Sequence, residues 1–395
     1  MSLVARHLIA IVGVLVTTAL VVGPVRADPD GDGDGVSDAA DNCPTVSNPE
    51  QTDTDRDGIG DACDACTDRD RDGFGDPGFP LNTCPVDNCP DVYNPAQIDG
   101  NGDGRGEACQ VCDALGGIHD LFPVAFSRKL TVAPGKTHGY ATTVDLYDDV
   151  CTTNLRFSGG TAELDLVAVA STGRAATVTD AKDLPAYVTG YVFTGGGTVL
   201  APPDIYTDTT GTAPEIADCR RTLATMVTAS ATLGALPATQ HLGTIAIAQG
   251  STFTVTAGEG EVVDIDSITI VGKENHDYGC YELGYGTLVV HATGPGVVLN
   301  VRNKLVLGTC AEVYSTDATT IINAPGIGKT VRIGAEADLS IPVLAPLRNV
   351  VVTGANDDGE VPTTFLGLWG KTGRMNGYTM EYQYAGIGDF TCTPP

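Results

Sequence analysis

The stretch Asp53–Asp64, DTDRDGIGDACD, constrains this chain more than any other. Carboxylates stand at positions 1, 3, 5, 9 and 12 of the window, as Asp53, Asp55, Asp57, Asp61 and Asp64. Gly58 occupies position 6, where such a loop must turn sharply, and Ile59 at position 7 can offer its carbonyl oxygen. This is the spacing of a loop that folds around calcium. The same grid fits Asp30, Asp32, Asp34, Val36, Asp38 and Asp41, with Gly35 at the turn. Carboxylates confined to one short loop repel one another by about 1 kcal/mol per pair in water, and by more where water is excluded. A hard divalent cation relieves that repulsion, and calcium tolerates the irregular coordination of a flexible loop better than magnesium does.

The acids are unevenly placed. Residues 28–113 carry 22 Asp or Glu against four Arg and no Lys, a net charge of −18 in a chain whose total is −28. Without cations such a segment stays expanded, so calcium is read as part of its fold. The same charge argues against nucleic acid or an anionic membrane surface as a partner. Upstream, Arg6, an apolar run from Leu8 to Gly23 and the small-residue end Val25-Arg26-Ala27 read as a signal peptide over residues 1–27, too short to span a membrane. All 12 cysteines lie beyond it, and an even number in an exported chain argues for disulfides. Cys63/Cys66 and Cys109/Cys112 have CxxC spacing, but each sits inside the acidic repeat, which disfavours zinc or redox chemistry. No second apolar stretch reaches membrane length and the C-terminus carries no hydrophobic tail, so the expected location is secreted or at the cell surface, without a transmembrane anchor.

A longer unit recurs, as DNCPTVSNPEQTDTDRDGIGDACD from Asp41 and DNCPDVYNPAQIDGNGDGRGEACQ from Asp87. These units resemble thrombospondin type 3 repeats, whose motif joins DxDxDGxGDxCD to DNCPxxxNPxQ. The resemblance covers residues 28–113 and implies an irregular arm, without regular helices or strands, wrapped around calcium ions and stapled by disulfides. It implies ligands Asp30, Asp32, Asp34, Asp38 and Asp41, with the Val36 carbonyl, in the first loop, and Asp53, Asp55, Asp57, Asp61 and Asp64, with Ile59, in the second. The third loop supplies Asp68, Asp70, Asp72, Phe74 and Asp76; position 12 is Phe79, and Asp87, beyond the insert DPGFPLNTCPV, can return to the vacant place. The fourth offers Asp99, Asn101, Asp103, Arg105 and Glu107, but neutral Gln110 at position 12 makes it the weakest. The repeat further implies pairing of Cys43 with Cys63, Cys66 with Cys84 and Cys89 with Cys109, each worth roughly 3 kcal/mol in the chain-entropy account. The partners of Cys112, Cys151, Cys219, Cys280, Cys310 and Cys392 stay open.

Beyond residue 113 the composition turns to Val, Ile, Thr, Ala and Gly in short alternating runs, such as TIAIAQGSTFTVT and DSITIVG, so this region is read as all β. One helix is predicted from Glu215 to Leu233, with Ile216, Cys219, Leu223, Met226 and Val227 on one face. From about residue 240, strands follow at a rhythm of roughly 20 residues without hairpin signals, which points to a parallel β-solenoid with one flanking helix over 215–395. Residues 114–214 are read as a β-rich subdomain that packs against it, with the first coils of the solenoid as the alternative. The order of helix, VVLNV, IPVLAPLRNVVVTG and LWGKTGRMNG resembles surface modules called choice-of-anchor A and, more distantly, ice-binding β-solenoids.

Candidate catalytic chemistry is thin. His119, His138, His241, His276 and His291 follow no metal-binding spacing, Asn275-His276-Asp277 lacks a nucleophile motif, and Glu261, Asp264, Asp266 and Glu282 read as solvent-facing strand residues. Thr252, Thr254 and Thr256 alternate as an ice-binding row would, but stacked rows are needed. The reading is therefore a secreted calcium-binding protein, structural or adhesive, that is not an enzyme. Its expected partners are calcium and an extracellular matrix, surface polysaccharide or protein. The alternatives are an extracellular polysaccharide-acting enzyme with the repeat as spacer, and an ice-binding protein.

Overall fold

The computed structural model describes residues 29–99 and most of 104–382. Residues 1–28, with the expected signal peptide, lie outside the described residues, as do Cys112 and Cys392. The chain forms two compact units, Met1–Ala65 and Cys66–Pro395.

Residues 29–65 are a succession of turns, and residues 66–99 add only an isolated bridge between Gly75 and Val86. The disulfides Cys43–Cys63, Cys66–Cys84 and Cys89–Cys109 hold them. The DNCP and NPxQ elements knit each unit internally. Gln51 Oε1 accepts from the Asn42 N–H at 2.9 Å and the Gln51 carbonyl accepts from Asn42 Nδ2 at 3.1 Å; Gln97 and Asn88 repeat both bonds at 2.9 and 3.0 Å. Asn42 and Asn88 in turn press on the second loop glycine. A Cβ on Gly60 would lie 2.4 Å from Asn42 Oδ1, and one on Gly106 2.3 Å from Asn88 Oδ1, so no larger residue fits.

The rest of the second unit is a parallel β-solenoid. Every strand pairing among the described residues is parallel, and successive coils lie in register: Leu242 under Ile265, Leu299 under Ile322, Val343 under Leu368. One coil takes about 23 residues, close to the period in the sequence. Long strands such as Val262–Val271, Val343–Thr353 and Val124–Pro134 shift register part-way, between Ile265 and Ser267, Ala345 and Asn349, Phe126 and Lys129. The shifts recur at one level and make a corner of the coil. Inside, Ile265, Ile268, Leu299, Val301, Leu305, Val350 and their neighbours stack into one apolar core. Sheets of this kind, covered on both faces over part of their length, explain the unbroken run Val297-Val298-Leu299.

The order of stacking shows how the strands before residue 214 relate to those after it. Strand Val124–Pro134 lies directly on Leu368–Gly377, with Ala125 opposite Trp369 and Val132 opposite Met375. Val150–Thr152 and Leu155–Ser158 follow on the other side of Val124–Pro134, then Thr161–Val169 and Val188–Thr194. The described strands between residues 124 and 208 therefore continue the same parallel stack, beyond Leu368–Gly377. An edge strand left by residues 368–377 has unpaired amides and carbonyls, and the N-terminal strands satisfy them.

The helix Pro214–Ala235 then carries the chain back along the flank to the first coil, Gln240–Ala248. Its 22 residues span about 33 Å, which matches about seven coils at 4.8 Å each. Pro214 starts it, where its missing N–H costs nothing, and Glu215 complements the helix dipole. Ile216, Cys219, Met226, Ala229 and Leu233 are buried against a column of outward residues, Val262, Val298, Ile321, Leu344, Trp369 and Ala125. Val227, expected on this face, is exposed; Ser230 takes the inner position because it bonds Asn323 Oδ1 at 2.6 Å. Asn300 Nδ2 donates to the Leu233 carbonyl at 2.9 Å and Arg302 Nη1 to that of Gly234 at 3.0 Å, which satisfies orphan carbonyls of the last turn. The disulfides Cys151–Cys219 and Cys280–Cys310 pin the helix and one coil edge.

Candidate metal centre

Each of the first three acidic loops gathers the carboxylates of positions 1, 3 and 5. Ligand-type oxygens of Asp30, Asp32 and Asp34 lie within 4.8 Å of one another, as do those of Asp53, Asp55 and Asp57, and of Asp68, Asp70 and Asp72. One local pattern builds all three. The position-6 glycine N–H donates to the position-1 carboxylate: Gly35 to Asp30 at 3.2 Å, Gly58 to Asp53 at 3.1 Å and Gly73 to Asp68 at 2.8 Å. The position-5 N–H donates to position 3 at 3.2 Å in every loop, and the N–H of Val36, Ile59 or Phe74 donates to the position-5 carboxylate at 2.7–2.9 Å. The glycines hold φ of +99°, +97° and +96°, a conformation that a side chain makes costly. In the fourth loop Gly104 donates to Asp99 at 2.9 Å, while Asn101, Asp103 and Glu107 lie outside the described residues. Gln110 Nε2 donates to the Arg105 carbonyl at 3.0 Å, the oxygen that position 7 would offer an ion.

The position-9 aspartates, expected as ligands, lie outside these triads and make their own bonds. Asp38 accepts the Gly31 N–H at 2.6 Å, Asp61 accepts the N–H and hydroxyl of Thr54 at 2.8 and 2.7 Å, and Asp76 accepts from Arg69 Nε. Each folds back on position 2 and closes the loop. Position 12 is held by its own connector. Asp41 accepts the Cys43 N–H at 2.8 Å and Gln51 Nε2 at 2.7 Å; Asp87 accepts the Cys89 N–H at 2.7 Å and Gln97 Nε2 at 2.9 Å. The Asn48 N–H donates to Asp34 at 2.9 Å and the Asn94 N–H to Asp72 at 3.1 Å. Asp87 thus stands to the third loop as Asp41 stands to the first, despite the insert between. Asp64 is buried in the second loop.

Burial is the main electrostatic fact of the third loop. Asp70, 1 % exposed, is pushed up to about 8, by burial first and then by Asp72, Asp87 and Asp68. Burial also raises Asp87, and raises Asp76 although Arg69 opposes it. Asp32 Oδ2, Asp53 Oδ1, Asp70 Oδ2, Asp76 Oδ1 and Asp87 Oδ2 are buried with no hydrogen-bond partner. A buried anionic oxygen without a donor is costly. An all-oxygen set with one such atom in every triad suits a hard cation, calcium above all.

Other expected chemistry falls elsewhere. Asp264 is bound by Arg302 at 2.5 Å, Glu261 accepts the Gly258 N–H at 2.7 Å and Gln240 Nε2 at 3.0 Å, and Asp266 is exposed. His241 lies 3.9 Å from Asp264 and His291 bonds Thr316. His119, His138, Asn275, His276, Asp277 and Glu282 lie outside the described residues. Cys280, Cys310 and Glu336 cluster, but the two cysteines are disulfide-bonded and the Cys280 N–H donates to Glu336. Thr252, Thr254 and Thr256 are exposed; in the next coil they lie over Thr287, Val289 and His291, so only one of the three rows continues as threonine. Sequence reasoning missed Glu259, a buried acid in the turn before Val262–Val271. Burial pushes it up to about 7, the Ala96 N–H opposes this, and Asp72 adds to it. Its partners are more than 150 positions upstream, and no local signal marks it.

Comparison with known proteins adds the following. Residues 27–51 match the family profile of the thrombospondin type 3 repeat. No curated protein matched the chain in sequence. Among solved structures, an ice-binding protein from the Antarctic ascomycete Antarctomyces psychrotrophicus is 14 % identical, with a TM-score of 0.27, covering 67 % of this chain and 97 % of that one. The ice-binding protein LeIBP from an Arctic yeast is 12 % identical, with a TM-score of 0.32 and coverage of 68 % and 94 %. The DUF3494 domain of an ice-binding protein from Shewanella frigidimarina is 14 % identical, with a TM-score of 0.25 and coverage of 67 % and 96 %. None of these matches is a choice-of-anchor A module. Among the described residues, no helix is long and apolar enough to cross a membrane.

Proposed function

We propose that this chain is an exported calcium-binding protein with a structural or adhesive role at the cell surface or in extracellular matrix. The observation that carries the reading is the threefold repetition of one carboxylate triad, each with a buried oxygen that nothing in the protein satisfies. Asp30, Asp32 and Asp34 would hold one ion, Asp53, Asp55 and Asp57 a second, and Asp68, Asp70 and Asp72 with Asp87 a third. Bound calcium supplies positive charge and oxygen coordination; it stiffens the arm. The disulfides support an oxidising, extracellular location. Calorimetric titration of the mature chain tests this directly: at least three moles of calcium per mole are expected. No binding at millimolar calcium under oxidising conditions would end the proposal.

Ice binding, the property named for the similar structures, is a second reading supported by the three exposed threonines of strand Thr252–Ala257. The interruption of their rows by Val289 and His291 weighs against it. Thermal hysteresis measured on the mature chain separates the two readings.

A further inference from the structure

The third acidic loop differs from the first two in what lies against it. The connector Asn94-Pro95-Ala96-Gln97 divides its donors between two neighbours. Asn94 N–H and Gln97 Nε2 bond Asp72 Oδ2 at 3.1 and 3.0 Å, and Gln97 Nε2 also bonds Asp87. The Ala96 N–H, between them, acts on the carboxylate of Glu259, which belongs to the solenoid and is 8 % exposed. A second contact lies nearby. A Cβ on Gly296 would be 3.4 Å from Ala108 Cα and 3.7 Å from Gly260 Cα, and one on Gly294 would be 2.6 Å from Glu259 Cβ. Ala108 is itself buried with Cys89, Val92 and Cys109. Two solenoid turns therefore close on the second half of the arm, and they do so beside a concentration of buried acid. Asp70, Asp76, Asp87 and Glu259 are all more than nine-tenths buried, and Asp70 Oδ2 and Asp87 Oδ2 have no donor. Of the two arginines in this loop, Arg69 is committed to Asp76 and to exposed Asp91 at 2.8 Å, and Arg71 stands between Asp70 and Asp72 in the sequence.

Resting on the reading that the loops hold calcium, we propose that the third loop is a calcium-dependent latch between arm and solenoid. A cation among Asp68, Asp70, Asp72 and Asp87 offsets the charge of Glu259, and the turns at Gly258–Glu261 and Gly294–Gly296 stay closed on residues 94–97 and Ala108 only while it is bound. Without the cation, Asp72 and Glu259 repel across a poorly hydrated contact and the joint opens. Glu259 is then a positioning residue, which tunes the site by its charge at the loop's edge.

The test compares the mature chain with its Glu259→Gln variant, which keeps the side-chain volume. In the wild type, chelation is expected to raise hydrogen exchange at residues 257–261 and at Thr293, Gly294 and Gly296, in the turns and not in the strands that follow them. In Glu259→Gln these turns stay protected in chelator, and calorimetry finds one calcium site weakened about fivefold while the others are unchanged. Asp32→Asn, in the first loop, weakens a calcium site without altering exchange at the turns. If the wild type binds calcium but its turns exchange equally with and without chelator, or if Glu259→Gln matches wild type in both readouts, the latch is wrong and the calcium reading stands. If the wild type binds no calcium, the underlying reading fails.

Discussion

The acidic arm and the solenoid are held together by opposite means. The solenoid buries Val, Ile and Leu from successive coils in one continuous core, and its backbone amides are paired strand to strand. Among its described residues the arm has one small apolar cluster, Cys89, Val92, Ala108 and Cys109, and otherwise relies on disulfides, side-chain-to-backbone bonds and carboxylates that crowd one another. Burial of apolar surface stabilises a fold in any buffer. Buried anions stabilise it only with their counter-ion present. The comparison predicts a molecule with one autonomous half and one conditional half, and four perturbations bear on that division.

The largest effect is expected from removing the Cys151–Cys219 disulfide as a double serine variant. It spans 68 residues, and its loss costs about 4 kcal/mol in the chain-entropy account. The solenoid's melting transition should drop while calcium binding stays unchanged; an equal loss of calcium affinity would blur the division. Next, Leu299→Ala, in the buried core, should cost about 3 kcal/mol, again read in the solenoid's transition alone. In the arm, Gly58→Ala forces a side chain into φ +97° at a cost of about 1–2 kcal/mol. Roughly a tenfold loss of affinity at one calcium site should follow, with the solenoid transition unmoved; an unchanged titration would mean that the second loop does not form the site.

The smallest expected effect is a pH dependence whose sign depends on calcium. Asp70 is held at about 8 and Asp76 and Asp87 are raised, whereas an unfolded aspartate titrates near 4. Between those values the metal-free folded arm binds more protons than the unfolded one, so its stability is full at low pH and is lost as pH rises towards 8. In chelator the arm's melting temperature should fall by a few degrees from pH 5 to pH 8. In saturating calcium it should rise over the same range, because protons compete with the ion. The same slope in both buffers would contradict this account.

What could be read from the sequence follows the same division. The acidic loops were legible because their bonds are local: each triad is closed by contacts two to five residues apart, so spacing carries the geometry. Spacing alone does not show that Asp38, Asp61 and Asp76 also bond position 2 and so close each loop. Solenoid strands and the helix were visible in alternation and period. Their order was not, because the pairing of Ala125 with Trp369 and the covalent bond from Cys151 to the helix join distant segments that carry no local mark. Apolarity and helical spacing point Val227 inward with Met226, whereas the buried Asn300 and Asn323 ladder turns Ser230 inward instead. Arg348 was equally invisible: it is fully buried and donates to the carbonyls of Val301, Arg302, Asn303, Gly326 and Pro325, a role that no sequence pattern announces.

The central claim is that calcium is part of the arm's fold and not of the solenoid's. Hydrogen exchange on the mature chain, with calcium and then with chelator, measures both halves in one experiment. Chelation is predicted to release the amides of Gly35, Gly58 and Gly73 and their loops to fast exchange, while Val262–Val271, Val297–Leu307 and Val343–Thr353 remain protected. Equal protection of the loops in both conditions would contradict the account, as would loss of protection in solenoid and arm together.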